Sequence, residues 1–151
     1  MNIIKISNED NYFKEIVNTY YEWWGHKYYD TLDKFYEYYK SCLTNQQLPR
    51  LYALLDNKEL IGMYELNDHD RIEVVETPFL SNVYIKEEFR GKGYSKLLIN
   101  DSIKETKKLG FNKLYLRSHH ENYYEKFGFK LIKEVETSIG KKRIFELEIT
   151  L

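Results

Sequence analysis

A strand-like run at Val83 to Ile85, with two β-branched residues around Tyr84, leads into Arg90-Gly91-Lys92-Gly93, and a helix-compatible segment opens at Tyr94. A helix that starts there presents unpaired backbone N–H groups and the positive end of its dipole to whatever precedes it. Gly91 and Gly93 let a phosphate approach the backbone without side chains in the way, while Arg90 and Lys92 supply positive charge at the rim. The chemistry this implies is capture of a phosphate or pyrophosphate. From these letters alone, a glycine-rich connection without a ligand is an equal alternative.

Two well-known phosphate loops do not fit. A Walker loop needs four residues between its glycines followed by Lys and Ser/Thr, whereas Lys92 alone separates Gly91 from Gly93. A dinucleotide fingerprint needs a third glycine where Lys96 stands, and the segment lies past mid-chain instead of in an opening βαβ unit. The segment Arg90-Gly91-Lys92-Gly93-Tyr94-Ser95 instead resembles the Arg/Gln-x-x-Gly-x-Gly/Ala acyl-coenzyme A loop of the GCN5-related N-acetyltransferases. Downstream, Tyr123-Tyr124-Glu125-Lys126-Phe127-Gly128-Phe129 resembles their Phe/Leu-Tyr-Glu-Lys-x-Gly-Phe segment. The two motifs stand in the family's order, with one helix and one strand between them. Ser95 departs from the usual final Gly or Ala of the loop, remaining small while adding a hydroxyl able to hydrogen-bond. Arg117 stands where many relatives have an asparagine, and Ser118 to Glu121 reads as a shortened connection.

The resemblance implies an enzyme in which an amine attacks the thioester of acetyl-coenzyme A, the co-substrate, with no metal. Val83, Tyr84 and Ile85 would offer main-chain groups to the pantetheine arm. Arg90, Gly91, Lys92, Gly93, Tyr94 and Ser95 would hold the pyrophosphate. Tyr124 takes the position of the general acid that protonates the departing thiolate. A phenol with an ordinary pKa of ~10 lies above the ~8.5 of a thiol and is protonated at neutral pH. With 15 tyrosines in the chain most must serve packing, and Tyr123 is the packing member of this pair.

The incoming ammonium must also lose a proton, to a carboxylate, a histidine or a water held by one. Glu76, His120 and Glu73 are the candidates in that order, with water as a rival. For the acceptor amine, Trp23, Trp24 and Tyr28 lie with His26 and Tyr29 between the first two helices, the stretch that lines the acceptor pocket in the family. Aromatic faces attract cationic amines by ~0.5 to 2 kcal/mol, so a polyamine, an aminoglycoside or a peptide amine would suit them; core packing is the competing use of such residues. A non-catalytic acyl-coenzyme A sensor or protein-interaction module is the alternative from another functional class.

These groups must be positioned by a scaffold that the hydrophobic spacing outlines. Asn2 to Ser7 alternates as a strand, and Phe13, Ile16, Val17 and Tyr20 recur as a helix ending at Gly25, where a positive φ is expected. Leu32, Phe35, Tyr39, Cys42 and Leu43 form a second helix capped by Asp30 or Thr31. Leu51 to Leu55 and Leu60 to Leu66 predict a hairpin across Asp56 to Glu59, followed by a strand over Phe79 to Ile85. A helix from Tyr94 to about Leu109 stopped by Gly110, a strand at Lys113 to Leu116 and a short helix at Asn122 to Phe127 come next. Phe129 to Glu136 and Arg143 to Thr150 close the chain around Ile139 and Gly140. The expected fold is α/β (α+β), a mixed and mostly antiparallel sheet flanked by helices in the order β-α-α-β-β-β-α-β-α-β-β. The splayed strands of the family open a cleft beside Val83 to Ile85, and a bulge is the usual way to make such an opening, though nothing in the sequence marks one.

The 151 residues fit one domain, expected to cover 1–151, and 42% hydrophobic against 31% charged residues is enough to bury a core. A net charge of −1 lacks the basic excess that phosphate-backbone binding requires, which argues against a nucleic-acid partner. Cys42 is the single cysteine, so neither an internal disulfide nor a cysteine-rich zinc site is available. Charges within the first 25 residues interrupt any signal peptide or membrane span, so a cytoplasmic location without a membrane partner is expected. The resemblance implies a small-molecule or peptide amine as the partner, and the closing strands leave a homodimer open.

Overall fold

The computed structural model describes residues 1–44, 47–70 and 74–150. Among these residues seven strands form one sheet in the order β1-β2-β3-β4-β5-β7-β6. They are β1 (Asn2–Lys5), β2 (Arg50–Asp56), β3 (Glu59–Asn67), β4 (Phe79–Ile85), β5 (Lys113–Arg117), β6 (Lys130–Thr137) and β7 (Gly140–Glu148). Every neighbouring pair is antiparallel except β4 and β5. That parallel pair is joined by a helical crossover, as parallel strands require.

Helices α1 (Asn11–Trp23) and α2 (Leu32–Tyr39) cover one face of the sheet, and α3 (Tyr94–Lys108) covers the other. Each start has a local cause. Asp10 accepts from the Phe13 N–H at 2.8 Å, and Thr31, one of the two expected caps, accepts from the Lys34 N–H at 3.2 Å. The apolar stripe Phe13, Ile16, Val17 and Tyr20 is buried against Leu51, Ala53 and Met63 of the sheet. On the opposite face Leu98 and Ile99 of α3 pack with Tyr64, Leu66 and Leu80. With helices on both sides, β3 reads as an almost unbroken apolar run.

Several element ends differ from the sequence reading. Gly25 has no positive φ: α1 closes through the Trp24 N–H to the Tyr20 carbonyl, and a 3₁₀ turn follows over Gly25–Lys27. The glycine is required by crowding, since a Cβ there would lie 2.6 Å from the Phe35 ring. The second helix tightens into a 3₁₀ turn at Lys40–Leu43, and the short helix before β6 is a 3₁₀ turn over Tyr124–Phe127, because Asn122 takes a φ of 60° that helical backbone excludes. β7 begins at Gly140, three residues before the first sequence boundary, because Lys141 and Lys142, which pair with Glu136 and Val135, continue the ladder without an apolar signal of their own.

One irregularity opens the sheet. Met63 pairs with Tyr84 and Glu65 with Ser81, so Tyr64 alone faces both Asn82 and Val83. This is a β-bulge in β4, and Asn82 adopts a φ of 52° within it. Beyond the bulge β4 leaves β5: the two strands share a single register pair, Phe79 with Tyr115.

Burial raises the pKa of Tyr20, Tyr39 and Tyr64 well above the usual phenol range, and lifts Tyr52 and Tyr124 to about 12. Unfolded tyrosines release their protons near ~10, whereas these hold theirs in the fold, so the native state binds more protons across that interval. Their contribution to stability is complete below pH ~10 and declines as the pH rises above it, the share of Tyr52 and Tyr124 being lost by about pH 12. Urea denaturation at stepped pH should show a steady midpoint up to about pH 9.5 and a steep decline above it.

Candidate active site

The bulge is held by a buried polar network. The Tyr20 hydroxyl donates to the Asn82 carbonyl at 2.8 Å, and the Asn82 side-chain amide donates to Glu65 Oε1 at 2.9 Å. The same carboxylate accepts from the Tyr39 hydroxyl and, at 3.1 Å through Oε2, from the Asn67 amide. A carboxylate is acceptor-only when ionised, so these three donors suit the charged form of a side chain that is only 2% exposed. Sequence reasoning missed Glu65. Its signal was the single charge inside the apolar run Leu60 to Leu66.

Where β4 and β5 part, a cleft of about 320 Å³ passes through the sheet. Tyr124, His119 and His120 line it together with Glu65, Asn82 and the two tryptophans Trp23 and Trp24. Tyr124 packs with the α3-side core, and Trp24 with the α1-side core, so the cleft is approached from both faces. The Tyr124 ring meets Tyr123 edge-on at 5.0 Å and Phe129 at 6.1 Å. Desolvation, helped by the neighbouring Tyr123, pushes its phenol up to about 12, and it is protonated at neutral pH.

On the α3 side, Gly91 and Gly93 both have φ of 80°, with open space where a Cβ would stand. Their requirement is therefore conformational. Gly93 is the N-cap of α3, and no side chain caps the first amides of that helix. Arg90 anchors beside them: its Nε donates to the Ile85 carbonyl at 2.8 Å, and its guanidinium lies 5.2 Å from the centre of the Tyr84 ring. The Lys92 ammonium stands 5.9 Å from the centre of the Phe89 ring. Past Phe79 the β5-facing edge of β4 has no ladder partner, which leaves main-chain groups along Val83 to Ile85, other than the Ile85 carbonyl held by Arg90, available to a ligand. This combination of capless amides, an open glycine turn and an unpaired strand edge fits a coenzyme A pyrophosphate and pantetheine. Tyr94 packs partly buried against the core. The Ser95 hydroxyl is occupied by a 2.7 Å hydrogen bond to the Tyr123 hydroxyl, so it joins the loop to the Tyr124 segment instead of standing ready for a ligand.

The other candidates separate. Glu76 does not line the cleft: its carboxylate is paired with the Lys133 ammonium at 2.7 Å. Glu73 lies outside the described residues. His120 lines the cleft, its backbone N–H donating to Ser118 Oγ at 3.0 Å. Trp23, Trp24 and Tyr28 all line a wider groove of about 970 Å³ between the α1 end and the β6–β7 hairpin, which continues from the cleft through Asn82. Among the described residues no group of three or more His, Cys, Asp or Glu is placed to hold a metal ion, and no helix is long and apolar enough to cross a membrane.

Residues 10–129 match the family model described as "Acetyltransferase (GNAT) family". No curated protein matches the chain. Among solved structures it is similar to an aminoglycoside 6'-N-acetyltransferase complexed with coenzyme A, with a TM-score of 0.76 at 16% identity over 100% of this chain and 98% of that one. A spermidine N-acetyltransferase chimera from Vibrio cholerae and hSSAT gives 0.75 at 22% identity over 98% and 96%. An N-acetyltransferase from Staphylococcus aureus Mu50 gives 0.73 at 18% over 99% and 100%. At these identities the likeness is one of fold, across essentially the whole chain.

Tyr39→Phe removes a donor from the buried Glu65 carboxylate without emptying the core around it. The expected cost is ~1 to 3 kcal/mol, read as a lowered urea midpoint with an unchanged slope.

Proposed function

The chain belongs to the GNAT acetyltransferase family, and on that premise we propose that it transfers the acetyl group of acetyl-coenzyme A to a primary amine of a small molecule or peptide by direct attack, within a single domain spanning 1–151. Acetyl-coenzyme A supplies the activated thioester; the protein's part is to bind, orient and move protons. The observation that carries the reading is the cleft through the sheet, in which Tyr124 and the two tryptophans line one cavity. The solved structures it resembles are described as acting with aminoglycosides and spermidine, both amines, which supports an amine acceptor here.

Gly91, Lys92 and Gly93 would receive the pyrophosphate on the free amides of α3, with Arg90, Tyr94 and Ser95 shaping the turn and Val83, Tyr84 and Ile85 aligning the arm along β4. The thioester then reaches the bulge from the α3 side, and the amine arrives from the tryptophan side. Holding both in attack geometry can supply ~7 to 11 kcal/mol. Glu65 presents fixed negative charge to the entering ammonium, and His120, which lines the same cavity, is placed to accept its proton directly or through water. Tyr124, protonated and half-buried, gives its proton to the leaving thiolate, and the phenolate is reset from solvent.

Tyr124→Phe should lower kcat about a hundredfold or more, as loss of a positioned acid does, while leaving the affinity for acetyl-coenzyme A within about twofold. Thiol release and isothermal titration measure the two; unchanged turnover removes Tyr124 from the mechanism. Gly93→Ala forces a Cβ onto a left-handed backbone at a cost of ~1 to 2 kcal/mol and should weaken coenzyme binding about tenfold. Absence of any heat with millimolar acetyl-coenzyme A on the unaltered protein ends the assignment.

A further inference from the structure

The groove outside the cleft has an electrostatic character that narrows the acceptor. Its charged lining residues are Lys27, Arg117, Glu136 and Lys142, with His119 beside them. Arg117 is compensated, its Nε lying 3.0 Å from Asp70. Glu136 is the one carboxylate among the described lining residues. Its carboxylate is 77% exposed and lies 3.9 Å from Lys141, its ladder partner, and side chains of that pair project from the opposite face to the adjoining pair Val135–Lys142. On the face that Lys142 shares, Lys133 is neutralised by Glu76 at 2.7 Å. Lys27 and Lys142 alone among these cations have no ion pair among the described residues.

The groove therefore combines two uncompensated ammonium groups with the aromatic walls of Trp23, Trp24 and Tyr28, and it leads inward to the carboxylate of Glu65. The sign of charge reverses from mouth to depth. A polycation would meet two like charges on its way in, whereas a molecule with a free amine at one end and an acid at the other would be oriented by both. We propose that the acceptor is a primary amine bearing an anionic group, carboxylate or phosphate, with Lys27 and Lys142 binding the anion and the aromatic residues flanking the chain between. This rests on the acetyltransferase reading and makes Lys27 and Lys142 specificity determinants.

The test is a panel of amines of matched length. It comprises ω-amino carboxylates from β-alanine to 8-aminooctanoate, the phosphate-bearing amine phosphoethanolamine, the corresponding diamines with spermidine, and neutral alkylamines. Each is assayed for thiol release with acetyl-coenzyme A and for binding to the coenzyme A-loaded protein by calorimetry. At least one acid-bearing amine should exceed its matched diamine at least tenfold in kcat/KM, and comparison of carboxylate with phosphate identifies the anion. Lys27→Glu/Lys142→Glu should reverse that order, Lys27→Met/Lys142→Met should abolish it, and Lys104→Glu on exposed α3 should leave it unchanged; circular dichroism checks that each variant is folded. Diamines used as well as acid-bearing amines, or a preference indifferent to both double variants, overturns the subsite while the acetyltransferase reading stands. Lysine-dependent binding of acid-bearing amines without turnover supports the subsite and overturns catalysis. Neither binding nor turnover of any amine overturns both.

Discussion

The bulge of β4 at Asn82 and Val83 is the constraint on which the rest depends. A regular β4 would continue its ladder with β5, and no space would exist between them. The extra residue ends that ladder after the Phe79–Tyr115 pair, and the resulting gap becomes the cleft. An asparagine in the left-handed region is tolerated there because its side chain and its carbonyl are both hydrogen-bonded, to Glu65 and Tyr20. Glu65 is fixed in turn by Tyr39 from α2 and Asn67 from β3. The network thus ties α1, α2, β3 and β4 to one buried carboxylate, and a charge that would be costly if unpaired becomes the point around which the opening is organised.

The two faces of the sheet then take different tasks. The α3 face carries the glycine turn, the free helix amides and Tyr124; the α1 face carries the tryptophans and the wide groove. Ser95 and Tyr123 connect the turn to the Tyr124 segment through a 2.7 Å bond, so the glycine turn and the segment that carries Tyr124 are tied to one another. This gives the unusual loop serine a structural task. Burial that lifts Tyr124 to about 12 keeps it protonated at the cost of acidity; under the proposed mechanism a thiolate leaving into the same desolvated space would itself be made more basic, which would preserve the direction of proton transfer.

Much of the fold was legible because its signals are local. Helical stripes such as Phe13–Ile16–Val17–Tyr20, the apolar runs of β2 and β3, and the glycines at Gly91, Gly93, Gly110 and Gly128, all with positive φ, act within a few residues. Element ends were misjudged where the signal was weak, as at Lys141 and Lys142 of β7, or where a glycine served packing instead of backbone freedom, as at Gly25 against Phe35.

By itself the sequence determined the order of elements, the glycine turn before α3 and the paired motifs around Arg90 and Tyr124, since each depends on neighbours along the chain. Only the tertiary structure decided which acids face the cleft. Glu65, hidden in an apolar strand, turns inward because Tyr39 of α2, Asn82 of β4 and Asn67 of its own strand donate to it, while Glu76 is drawn aside by Lys133, a residue 57 positions away. The charge of the groove lined by Trp23, Trp24 and Tyr28 was equally invisible, because it depends on which lysines find carboxylates once distant strands pair. Charge compensation is a property of spatial neighbours, and spacing along the chain does not encode it.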